Sequence, residues 1–154
     1  MRNSVKILIL LTSAVACASM EPIIVKQVKS ANVYSDGGSI SIDGILENNL
    51  EINILLDLSL TSQIDNVNAY NTIRVDGKKI GADDKMRILF ALHNWLTANT
   101  KYNTWNEITR TYLNEGMSNE HLGKVFMVGA LIEQLCIKDS SVSSKQLCDF
   151  YQKK

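Results

Sequence analysis

Residues 50–60 read LEINILLDLSL, with Leu50, Ile52, Ile54, Leu56, Leu58 and Leu60 at every second position. A β-strand sends successive side chains to opposite faces, so this period of two predicts a strand with one apolar face. The intervening positions hold Glu51, Asn53, Asp57 and Ser59, with Leu55 the exception. One face of the sheet is therefore expected to meet water, as antiparallel sheets permit.

Toward the N-terminus, Ile23, Val25 and Val28 lead to Val33-Tyr34, and Ser35-Asp36-Gly37-Gly38 supplies a turn. Ile40, Ile42 and Ile45 then follow in a second strand, and Glu47-Asn48-Asn49 makes another turn. Toward the C-terminus, residues 61–71 are polar and rich in Asn, a loop. Thr72-Ile73-Arg74-Val75 reads as a fourth strand, Asp76-Gly77 as a tight hairpin turn, and Lys79-Ile80 as the return.

After Gly81 the period becomes helical. Met86, Leu89, Phe90 and His93 lie on one stripe and Ile88, Leu92 and Trp95 on another, so a helix from about Asp83 to Ala98 is apolar over most of its girth. It is expected to be the central helix on the sheet. Thr104 and Glu107 have the spacing of a capping box, in which each side chain satisfies the other's backbone N–H. The helix they open buries Trp105, Ile108 and Tyr112 and stops at Gly116. A third helix, capped by Ser118, carries Leu122, Val125, Phe126, Gly129 and Ile132 to Cys136. Glycine inside a helix costs about 1 kcal/mol relative to alanine, so Gly129 implies close backbone packing. Ser143 with Gln146 repeats the capping spacing and starts a last helix with Leu147, Phe150 and Tyr151 inward. The fold class is α+β: an N-terminal antiparallel β-meander of three to five strands packed against three to four C-terminal helices, one domain over residues 19–154.

The first 18 residues, MRNSVKILILLTSAVACA, have Arg2 and Lys6, an apolar run from Ile7 to Leu11, and small residues at Ala14, Ala16 and Ala18. That is the pattern of a cleavable signal peptide, and its apolar run is too short to span a bilayer. Ala14-Val15-Ala16-Cys17 also resembles a lipobox, in which Cys17 would be acylated and the chain anchored as an envelope lipoprotein. Both readings place the mature chain in the periplasm or outside the cell, with membrane contact only through the signal or a lipid. Both also remove or consume Cys17 and leave Cys136 and Cys148 as an even pair in an oxidising compartment. A disulfide between them is expected, worth about 3 kcal/mol in the chain-entropy description.

Without residues 1–18 the chain holds 14 basic against 16 acidic residues, a balance that gives no footprint for nucleic acid. His93 and His121 are the only histidines. His93 sits on an apolar stripe and is expected to be partly buried against a carbonyl group; His121 is expected to be solvated beside Glu120. Neither H-E-x-x-H nor G-x-S-x-G occurs, Gly37-Gly38 lacks the lysine and helix of a phosphate loop, and Asp83-Asp84 suits a helix start. No catalytic residue, metal ligand or cofactor is assigned.

The stretch from Asn94-Trp95 through Tyr102 to Trp105-Asn106 mixes aromatics with amides, as sugar-binding and protein-binding surfaces do. Helical spacing assigns both tryptophans to the core and leaves Tyr102 exposed. The loop residues Asn66, Asn68, Tyr70 and Asn71 are too polar for a core, so they and Tyr102 are the candidate partner-binding residues.

Near the C-terminus, Gly129, Cys136-Ile137, Val142 and Gln146 sit in a helix ending in Cys-Ile, a short loop and a capped helix. This segment resembles the end of the small periplasmic immunity proteins of the Tai type, which neutralise cell-wall amidase toxins delivered by type VI secretion. The resemblance covers about a fifth of the chain, and the strand-rich N-terminal half departs from that largely helical family, so no functional residue is carried over. It implies a non-enzymatic inhibitory protein whose partner is another exported protein. The alternative is an envelope module that binds or hydrolyses cell-wall or glycan material through the Trp/Tyr/Asn region and His93.

Overall fold

The alternating stretch forms β3 (Glu51–Asp57), between β2 (Ser39–Leu46) and β4 (Thr72–Val75), with β1 (Val25–Val33) and β5 (Lys78–Lys79) at the two edges. All neighbours pair antiparallel in the order β1-β2-β3-β4-β5. The computed structural model describes residues 21–34, 39–57, 72–115, 120–138 and 144–152. The leader, the expected turn at 35–38, Ser118 and residues 58–71 lie outside the described residues.

The inward face of the sheet carries Val25, Val28, Ile40, Ile42, Leu46, Ile52, Ile54, Leu56 and Ile73, all buried. The period of two that places Ile40 and Ile42 inward continues to Gly44 and Leu46, so Ile45 falls on the opposite face and is half-buried. That opposite face is polar: Ser30 Oγ donates to Asp43 at 2.9 Å, Asn53 Nδ2 donates to the other Asp43 oxygen at 3.0 Å, and Arg74 follows in register. Leu55 interrupts it and is 40% exposed.

The pairing of β1 with β2 shifts twice, between Val25 and Gln27 and between Val28 and Ser30, which leaves Lys26 and Lys29 as the extra residues. Lys29 reaches across the open face to Glu51 at 2.9 Å. The β4–β5 hairpin turns on Asp76 and Gly77, both at positive φ (50° and 74°), the two-residue geometry that matches strand twist.

Four helices follow: α1 (Ala82–Ala98), α2 (Trp105–Glu115), α3 (Glu120–Lys138) and α4 (Lys145–Gln152). Ile88, Leu89, Leu92 and Leu96 of α1 are buried, but α3 makes the broader contact with β1 and β2. The helix central to the core is thus α3, because its apolar residues Val125, Val128, Leu131, Ile132 and Leu135 run along its length. Each such Leu, Ile or Val contributes about 1.5–3 kcal/mol on burial.

The capping box at α2 is present: Thr104 Oγ1 accepts from Glu107 N at 3.2 Å, and Glu107 Oε2 accepts from Thr104 N at 3.1 Å and Asn103 N at 2.8 Å. The Asn103 N–H is the main cause holding the Glu107 carboxyl below its ordinary range. At α4 the cap is Ser144, whose Oγ accepts from Leu147 N at 3.4 Å; the expected Ser143 lies outside the described residues. Cys136 near the end of α3 is bonded to Cys148 in α4, with their Cα atoms 5.4 Å apart.

Sheet and helices share one apolar cluster among the described residues. No helix among them is long and apolar enough to cross a membrane.

Candidate functional site

The extended segment before β1 brings Ile23 and Ile24 alongside the β2–β3 turn, where Glu47 N donates to Ile24 O at 2.9 Å. Arg87, in the second turn of α1, fixes the same segment from the other side. Its Nη2 donates to Glu21 O at 2.6 Å and its Nη1 to Asp84 Oδ1 at 3.2 Å. Between these ties lies a groove of about 600 Å³.

Leu46, Val75, Ile80 and Ile88 form its apolar lining, and Ile24 and Leu50 stand at its mouth, 45% and 37% exposed. Glu21, Glu47 and Asp84 surround them. Arg87 pairs with Asp84, while no basic side chain among the described residues pairs with Glu21 or Glu47. The result is a wet apolar surface inside an acidic rim, a chemistry suited to an apolar group flanked by positive charge.

The residues singled out from sequence fall elsewhere. Asn66, Asn68, Tyr70, Asn71 and Cys17 lie outside the described residues. Tyr102, expected to be exposed, is half-buried against the core: its backbone N donates to Thr100 Oγ1 at 3.3 Å, and Lys101 Nζ lies 5.8 Å from its ring centroid. It takes no part in the groove.

His93 is partly buried as expected, but its partner is the Tyr151 hydroxyl, 2.9 Å from Nδ1, instead of a carbonyl. Burial lowers the His93 pKa and raises that of Tyr151, so both stay neutral and share one hydrogen bond whose direction follows the imidazole tautomer. Phe150 packs edge-on against His93 at 4.8 Å between ring centroids. Tyr151 is buried and burial keeps its hydroxyl protonated, so the pair packs as a satisfied polar contact in an aromatic cluster.

Trp105 is buried, with its Nε1 donating to Glu133 Oε2 at 3.0 Å. Trp95 is only half-buried and meets the exposed His121 edge-on, 6.3 Å between centroids. His121 Nε2 lies 3.4 Å from Asn99 O. The aromatic–amide stretch is thereby divided, with Trp105 in the core and Trp95 beside a polar cleft.

The groove escaped the sequence because its walls come from five separated segments. The one local signal was Leu50, which follows the Glu47-Asn48-Asn49 turn directly and so stands at the mouth of its strand, outside the row of buried partners. No group of three or more His, Cys, Asp or Glu placed to hold a metal ion occurs among the described residues. No protein-family model, curated protein or solved structure matches this chain.

Proposed function

We propose that this chain is a small exported protein that acts by binding another exported protein, with the groove between the pre-β1 segment and α1 as its docking surface and an inhibitory, immunity-type role as the specific form. The observation that carries this reading is the exposure of Ile24 and Leu50 beside Glu21 and Glu47, which pair with no basic side chain among the described residues. Covering one such side chain contributes about 1.5–3 kcal/mol. The acidic rim adds selectivity and a faster encounter with a basic partner. The occupant is accordingly a protein segment that presents an apolar side chain between lysines or arginines. The C-terminal likeness to Tai-type immunity proteins supports the inhibitory form.

A synthetic peptide of alternating Lys and Leu, and its Glu/Leu counterpart, test the surface directly by calorimetry on the folded mature chain. The cationic peptide is expected to bind, to weaken with added salt, and to be lost in Ile24→Asp and Leu50→Asp. Leu113→Asp, at an α2 side chain that is 71% exposed, is the control and should leave binding unchanged. Equal binding of both peptides, or equal loss in the control, would overturn the assignment. An exported hydrolase encoded beside this chain and inhibited stoichiometrically by it, in a manner abolished by the same two substitutions, would establish the immunity form.

A further inference from the structure

A second concavity, of about 720 Å³, lies where β1 meets the end of α1 and the start of α3. Lys26 and Gln27 come from β1, Trp95 from α1, Asn99 from its C-cap, and Glu120, His121 and Lys124 from α3. We infer that this cleft binds an acidic saccharide, a pyranose bearing a carboxylate. The inference is independent of the groove.

Three features of the cleft match that chemistry. Trp95 is half-buried and held in place by the edge of the His121 ring, so it offers a fixed apolar surface to the C–H face of a sugar. Carboxamides surround it: Gln27 is exposed, and Asn99 spends its Nδ2 on Trp95 O at 2.7 Å, which leaves its Oδ1 as an acceptor for hydroxyls. The charges favour an anion. Lys124 pairs with Glu120 at 2.8 Å, whereas Lys26 pairs with no carboxylate among the described residues and is left to meet a ligand's carboxylate. An aromatic wall with a few convergent polar groups is the general form of a small-molecule site.

Lys26 is positioned by the fold itself. It is the extra residue at the first register shift of β1, so the local bend of the strand brings it into the cleft's lining beside Gln27.

Tryptophan fluorescence tests the site on the intact mature chain, which has two tryptophans, one of them buried. The probes are a galacturonate trimer, the neutral galactose trimer, sodium acetate and inorganic phosphate. The galacturonate trimer should change the emission saturably, and Trp95→Phe should abolish the change. Lys26→Gln, at an exposed position, should weaken binding about tenfold, the loss expected of one charge-assisted hydrogen bond. Its thermal melt should match that of the parent. Equal affinity for the neutral trimer, the same saturation with acetate or phosphate alone, or no response from Trp95 would each overturn the inference.

Discussion

The indole of Trp105 fills the space that a side chain at position 129 would need: a Cβ built on Gly129 would overlap three of its ring carbons. The α2 indole therefore lies directly against the α3 backbone, and Phe126 stacks on the indole at 5.5 Å with Tyr112 stacked on Phe126 at 4.0 Å.

Gly129→Ala should consequently destabilise the fold by about 1–3 kcal/mol through overpacking, although alanine is the better helix former. Urea denaturation measures it. Adding Trp105→Leu should recover part of the loss, giving a coupling that independent sites would not show.

Replacing Cys136 and Cys148 together by serine should lower stability by about 3 kcal/mol, since the bond closes a separation of 12 residues. Melts of the oxidised and reduced chain provide the comparison. The same preparation, weighed intact, should show the leader removed behind Ala16 or Ala18 or a lipid on Cys17; full-length material with free thiols would refute export.

The His93–Tyr151 pair predicts a definite pH dependence. Burial lowers the folded-state pKa of His93 beneath its ordinary value of about 6.5, so the unfolded chain takes up the proton first. The contribution is complete above about pH 6.5 and is lost as the pH falls through the window below that value. Thermal midpoints should drop from pH 7 to pH 5, and His93→Gln should flatten that part of the slope. An unchanged slope would show that the imidazole does not carry it.

Tyr151→Phe keeps the ring contacts with Trp105 and Phe150 but removes the partner of His93 Nδ1. A cost of about 1–3 kcal/mol is expected if Nδ1 stays dry, and less if water reaches it. Thr104→Ala, which removes one half of the α2 capping box, should cost about 1 kcal/mol. Chemical denaturation at pH 7 checks both.

What the sequence made legible was local. The alternation through Ile52, Ile54 and Leu56 identified a strand and its faces, and Thr104 with Glu107 marked a helix start, because in both cases the interacting residues are near neighbours in the chain. Gly129 announced a close contact but could not name Trp105. The start of α4 moved by one residue because Ser143 and Ser144 both have the chemistry of a cap. The groove and the Trp95 cleft were hidden for a different reason: Arg87 meets Glu21 across 66 positions and His121 meets Asn99 across 22, and no short window contains such pairs.

The two register shifts in β1 also bear on how copies of the protein meet one another. A neighbouring molecule that tried to extend the sheet along this rim would find an even hydrogen-bonding comb only from Ser30 to Val33, behind a stretch bent at Lys26 and Lys29. Four residues are too few to template a lasting ladder, and the ammonium group of Lys26 stays solvated only while that rim is left open. The chain is thereby kept from stacking into fibres along this edge.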